Sequence, residues 1–241
     1  GDERNEKIIS IINNCINLNK GPVFKIILIP EENYKYQVFI VLHHITSDER
    51  TKEIILKELS SYYHSYNNNT PSSILPLDFQ YKEYAHWINN ILSNEMVKGA
   101  KEYWSSQLKG NLPALDIPSD LSRPAVFIPK GMRIHKIIGN KSFTNLKIIA
   151  RENNTTIFVV LLAVIKYIIH RYSGQSDLII GTPITLRNFT NLENQVGYYL
   201  NSIAIRSQIS ENSTLSEYVQ QIKERMTDGI SHSLIPFDEI I

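Results

Sequence analysis

The sequence predicts a mixed α/β (α+β) fold. Three observations predict it. Short apolar runs rich in β-branched residues and bounded by turn residues read as strands at 23–29, 38–42 and 177–183. Longer segments with apolar residues at 3–4 spacing read as helices between them. Residues 112–124 carry three prolines, Pro113, Pro118 and Pro124, and so resist both helix and central strand. That stretch is the clearest linker. It divides the chain into residues 1–118, a join at 119–130, and residues 131–241.

Taken in order, Ile8, Ile11, Ile12, Cys15 and Ile16 space an amphipathic helix over 4–16. Asn17 to Pro22 breaks it. The strand at 23–29 turns back through 30–35 into the next strand, an antiparallel hairpin. A helix over 49–63 takes its apolar side from Ile54, Leu56, Leu59, Tyr62 and Tyr63. A polar loop at 67–73 precedes a long helical region from about 79 to 108, burying Tyr84, Trp87, Ile88 and Ile91. Beyond the linker, 132–138 reads as a strand and 142–152 as a helix. A third long helix, 157–172, is apolar nearly all round and therefore central, with Gly174 ending it. Residues 177–183 form a buried strand closing on Arg187 and Asn188. Another strand follows Asn201, and then a helix over 215–230.

Composition narrows the function. The chain has 241 residues, 42% hydrophobic and 20% charged, with a net charge of +1, which is ordinary for a globular protein. There is no basic stripe with interleaved aromatics, so nucleic-acid binding has no support. No apolar run approaches the roughly 18 residues of a membrane span, and the longest, 157–169, is interrupted by Lys166. The charged start, Gly1-Asp2-Glu3-Arg4, is not a signal peptide. Cys15 is the sole cysteine. It excludes an internal disulfide, argues against a cysteine-based zinc site, and fits a reducing cytoplasm.

The chemistry concentrates in Val38-Phe39-Ile40-Val41-Leu42-His43-His44-Ile45-Thr46-Ser47-Asp48. A buried strand runs into two adjacent histidines. On an extended backbone their rings point to opposite faces, one to a core and one to a cavity. Asp48 falls at the N-cap of the next helix. Singly, each residue has an ordinary structural role; together they make the pattern His-His-x-x-x-Asp after an apolar strand. That pattern resembles the active-site motif of the chloramphenicol acetyltransferase-like superfamily, and in particular the condensation domains of nonribosomal peptide synthetases.

Further segments resemble the same family in the same order. They are Leu18-x-x-Gly21-Pro22, Tyr81-x-x-Tyr84-Ala85-x-Trp87 followed by Tyr103-Trp104, and the proline segment ending at Arg123-Pro124. Gly181-Thr182-Pro183 before a basic loop, Gly197-x-x-x-Asn201-x-x-x-x-Arg206, and Pro236-Phe237-Asp238 complete the set. Asp238 stands where the family has glutamate. Glu49 stands where it has glycine.

The resemblance implies a two-lobed fold with mixed sheets flanked by helices, here incomplete at both ends. It implies amide formation between an acyl or peptidyl thioester on one carrier domain and the amine of an aminoacyl thioester on the next. The implied partners are donor and acceptor peptidyl carrier domains and an adenylation domain. The phosphopantetheine arms belong to the carriers, and neither a cofactor nor a metal is bound by the chain itself. His44 becomes the base or amine-orienting group, His43 a structural residue whose proton is fixed by a backbone acceptor, and Asp48 the holder of the loop through an ion pair. Arg123 is either the partner of Asp48 or a solvated loop arginine. Glu49, Tyr84, Trp87 and Asn201 are implied to line the cleft. If the glycine position needs positive φ, Glu49 adds strain of about 1–2 kcal/mol, and reduced activity follows. A coenzyme A-dependent acyltransferase of the same superfamily and an inactive docking module are the competing readings.

Overall fold

A computed structural model of the chain describes residues 2–13, 16–92, 97–120, 126, 131–188 and 190–240. Helices and two small sheets alternate along it, as the predicted α/β class requires. The chain forms two compact units. One comprises Gly1–Asn90 with Thr185–Leu200, and the other Ile91–Ile184 with Asn201–Ile241.

The first unit opens with α1 (Asp2–Asn13) and the hairpin of β1 (Phe24–Pro30) and β2 (Tyr36–Leu42). Phe24 faces Leu42, Ile26 faces Ile40 and Leu28 faces Val38, so one face of the hairpin carries only apolar cross-strand pairs. The turn uses Asn33 and Tyr34 at φ 61° and 57°, the pair of positive angles that matches the twist of two antiparallel strands. The strand leading to the histidines is not buried as its apolar run suggests. Its first three residues are exposed and the rest half-buried, because each strand has a single described neighbour. α2 (Glu49–Asn67) buries Thr51 and Ile54, while Leu56, Leu59, Tyr62 and Tyr63 are exposed. α3 (Tyr81–Leu92) begins in this unit.

The second unit holds the larger aliphatic core. α4 (Lys98–Gln107), α5 (Asn140–Glu152), α6 (Ile157–Ser173) and α7 (Leu215–Ser231) pack with β3 (Asp177–Thr185) and β4 (Leu200–Gln208). Thr156 caps α6 by accepting from Val159 N–H, and Gly174 ends it at φ 71°. Leu186 N–H donates to Tyr199 O and Ile209 N–H to Ser176 O at opposite ends of the β3–β4 pair, which makes it antiparallel. α7 starts on a reciprocal cap between Thr214 and Glu217. Trp104, 2% exposed, donates its indole N–H to His232 O at 2.9 Å.

Four further expectations change. Residues 132–138 form no strand: no described strand pairs with them, and Met132, Ile134 and Ile137 are exposed. α6 buries Val159, Val160, Leu162, Ala163 and Lys166, but Phe158, Ile165, Tyr167 and Ile168 stand about half exposed, so one side of the helix is core rather than all of it. The helical region expected at 79–108 is two helices, α3 and α4, with 93–96 outside the described residues. The units also divide elsewhere than at 119–130, most of which lies outside the described residues. Contacts made by Arg187 and Gly197 attach the segment between β3 and β4 to the first unit instead. Cys15 lies outside the described residues as well.

Candidate functional site

The histidine pair sits where β2 ends. His43 N–H still bonds Val23 O at 3.0 Å, completing the ladder, and the chain then enters a single 3-10 turn over His44–Thr46. The two histidines are therefore not both on a strand, and what separates their roles is the turn rather than the pleat. His43 caps the turn: its Nδ1 accepts from Ile45 N–H at 3.1 Å, which places the neutral ring's proton on Nε2. His44 does the opposite. Its Nδ1 lies 2.8 Å from Ser47 O, a group that only accepts, so Nδ1 carries the proton and Nε2 keeps its lone pair as an acceptor on an exposed residue. The backbone acceptor expected for His43 thus belongs to His44.

Asp48 caps α2, accepting from Thr51 N–H at 2.8 Å. It is 3% exposed and paired through both oxygens with Arg187, at 2.9 Å from Nη2 and 3.0 Å from Nε. Burial works against the charged carboxylate, but the hydrogen bonds from Arg187 and Thr51 outweigh it and hold the group below its ordinary value. Arg187 also donates to Leu192 O and Gln195 O and lies 4.2 Å over the Tyr199 ring. Arg123, one of the two readings for the partner of Asp48, lies outside the described residues, and Arg187 takes both oxygens.

The pair extends into Gly197-Tyr198-Tyr199. Thr51 Oγ1 lies 2.9 Å from Asp48 Oδ1 and 2.8 Å from Gly197 O, sharing one proton between them, and accepts from Gly197 N–H at 3.1 Å. Tyr199 N–H donates to Asp48 Oδ2 at 3.3 Å. A Cβ on residue 197 would fall 2.3 Å from Tyr81 Cδ2 and 2.7 Å from Tyr199 Cε2, so only glycine fits. Burial pushes the phenols of Tyr84 and Tyr199 up to about 12, which keeps both protonated.

Of the residues implied to line a cleft, Tyr84 is buried against Tyr199 at 4.6 Å, while Trp87 is 38% exposed. Both line a groove of about 520 Å³ with Phe79, Glu83 and Leu192. Asn201 belongs to the second unit, where its amide nitrogen donates to Ser233 O and Ile235 O at 2.7 and 2.6 Å and ties β4 to the tail. Glu49 is the first residue of α2, absent from the positive-φ positions and paired with Lys52 at 2.6 Å, so the strain considered for it does not arise. An acid in the first helical turn is favourable there.

Sequence reasoning did not single out Arg187, Thr51, Tyr198 or Tyr199 as site residues. Arg187 and Asp48 are 139 positions apart, and no spacing rule joins them; the nearest signal was the basic loop after β3. Among the described residues no group of three His, Cys, Asp or Glu side chains can hold a metal, and no single helix is long and apolar enough to cross a membrane.

Known proteins share this arrangement of sequence and fold. The chain is 31% identical over 236 residues to bacitracin synthase 1 of Bacillus licheniformis, covering 98% of this chain and 4% of that protein. It superposes with a TM-score of 0.86 on a chain of the complex of the X-domain and OxyB from teicoplanin biosynthesis, at 19% identity over 98% of this chain and 54% of that one. The first condensation domain of the CDA synthetase matches with a TM-score of 0.74 at 13% identity, over 97% of this chain and 53% of that one. The chain thus spans about half the length of these solved chains and a small part of the synthase. A condensation-domain family model matches residues 1–241, and the chain belongs to the condensation-domain family.

Proposed function

We propose that the chain takes part in amide-bond formation between two carrier-bound thioesters in nonribosomal peptide synthesis. The α-amine of the acceptor aminoacyl group attacks the donor thioester carbonyl. A C–N bond forms, the C–S bond breaks, the amine loses a proton and the leaving sulfur gains one. A thioester is already activated, so alignment of two tethered reactants does most of the work. A positioned base adds about 10²–10⁴-fold.

The observation that carries this reading is the orientation of His44. With Nδ1–H engaged by Ser47 O, Nε2 is left as an acceptor, able to orient the amine or take its proton. Asp48 and Arg187 form a buried pair that caps the helix behind the turn. The phosphopantetheine arms come from donor and acceptor carrier domains, and an adenylation domain loads the acceptor.

The test uses two carrier domains loaded with acyl and aminoacyl groups. Dipeptidyl product is expected on the acceptor carrier, and His44→Ala is expected to lower its formation at least 100-fold. Consumption of a coenzyme A thioester with a soluble amine, and no product from carriers, would instead identify a coenzyme A-dependent acyltransferase. Carrier binding without turnover would identify a docking module, a reading encouraged by the likeness to an X-domain solved in complex with OxyB.

A further inference from the structure

Tyr198 stands where the buried aspartate network reaches the histidine. The backbone on either side of it is tied down: Gly197 by both its N–H and its carbonyl to Thr51, and Tyr199 by its N–H to Asp48. Its own carbonyl accepts from Tyr81 Oη at 3.0 Å. The neighbouring side chain, Tyr199, is fully buried, whereas Tyr198 is 36% exposed, so the two point to opposite sides of the segment. On its side the Tyr198 ring meets the His44 imidazole edge-on, with centroids 5.6 Å apart and planes at 79°.

Rotation of an imidazole about its last side-chain torsion is broad and weakly restrained. One hydrogen bond, to Ser47 O, is a thin restraint for the ring of an exposed residue. A second wall perpendicular to the ring removes the alternative orientations, because an aromatic edge packs closely only against the face or rim it already meets.

We propose that Tyr198 is a positioning residue for His44. Its ring confines the imidazole to the orientation in which Nδ1–H reaches Ser47 O and Nε2 is left as the acceptor, and the Gly197–Tyr199 backbone carries that placement from Asp48. This assigns the Asp48–Thr51–Arg187 cluster a role at the histidine besides holding α2. The catalytic consequence rests on the condensation reading; the tautomer consequence does not.

The experiment compares the parent chain with Tyr198→Ala and Tyr198→Phe by two readouts. The first is the His44 ring tautomer, by nitrogen-detected proton NMR with the imidazole neutral. The second is dipeptide formation between loaded carriers. The parent is expected in the Nδ1–H form. Tyr198→Ala is expected to mix the tautomers and to lower the condensation rate constant about 10- to 100-fold, with KM for the acceptor carrier changed less than about twofold. Tyr198→Phe is expected to restore both. A Tyr198→Ala chain that keeps the Nδ1–H form overturns the proposal, as does a Phe variant that restores neither readout. If the parent makes no product, only the reaction reading fails, and the tautomer comparison decides this one. Should the Ala variant fail to fold, Tyr198→Leu, which fills the site without a ring, carries the same comparison.

Discussion

Among the described residues each compact unit contains a bidentate aspartate–arginine pair, and the two pairs behave differently because of where they sit. In the first unit Asp48 and Arg187 are 3% and 7% exposed. In the second, Asp177 and Arg206 are 31% and 21% exposed, with Arg206 Nη2 2.7 Å from the carboxylate. Burial opposes the charge on Asp48, yet its hydrogen bonds from Arg187 and Thr51 prevail. Hydrogen bonding to Asp177 holds Arg206 more firmly protonated against a smaller desolvation. The chemistry is the same in both; burial sets what it costs to break it.

The largest expected effect therefore lies in the first unit. Arg187→Ala leaves a buried carboxylate unpaired and removes the donors to Leu192 O and Gln195 O, so a loss of about 3–5 kcal/mol is expected in urea unfolding. Combining Asp48→Asn with Arg187→Met removes both charges, and the pair is expected to cost less than the sum of the single changes. A strictly additive result would mean the two groups are not coupled.

Alkaline pH sharpens the contrast from the other unit. Lys166 is fully buried and donates to Leu178 O and Ile205 O at 2.9 and 2.6 Å. Desolvation lowers its pKa from 10.5 to about 8, against a smaller opposing effect of Asp177. The unfolded chain then binds the extra proton between those values, so this group makes stability rise as pH climbs from about 8 to 10.5. The swing is roughly 3 kcal/mol. Lys166→Met is expected to flatten that part of the curve in a pH series of thermal unfolding.

At acid pH Asp48 gives the same sign of slope, because its folded pKa is lowered too. Its folded pKa lies below 3.8, so the stability it contributes is present above 3.8 and is lost as pH falls through the lower folded value. Asp48→Asn is expected to show a shallower acid limb than the parent.

The smallest effects fall on the less buried charges. Asp177→Ala is expected to cost about 1 kcal/mol or less and to cost less still in high salt. Arg206→Ala should cost more, because Arg206 also donates to Gln107 O and Lys109 O. Glu49→Gly removes an exposed pair with Lys52 and is expected to change stability by less than about 1 kcal/mol. It is expected to leave the condensation rate unchanged, and a faster Gly variant would mean the glutamate obstructs the arm.

Elements with a local signature were legible in advance. The hairpin, the Asp48 cap on α2, the Gly174 end of α6, and the strands at β3 and β4 all follow from residues within a few positions of one another. The order of the family's motifs was legible too, and residues 1–241 match the family model. The strand expected at 132–138 does not form because a local pattern cannot supply the neighbour that a strand's backbone groups require. The face of α6 that is buried was not legible either, since an apolar helix looks the same from every side until something packs on one of them.

What the sequence determined by itself is most of the elements, the Asp48 cap and Gly174 stop, and the placement of two histidines and an aspartate after β2, because these depend on near neighbours in the chain. The tertiary structure alone decided that Arg187 is the partner of Asp48, that His44 rather than His43 gives its proton to a backbone carbonyl, and that Tyr198 stands beside the imidazole. The reason is physical. Charge pairing and ring packing depend on distance in space, and a contact across 139 residues leaves no period or spacing in the sequence to read.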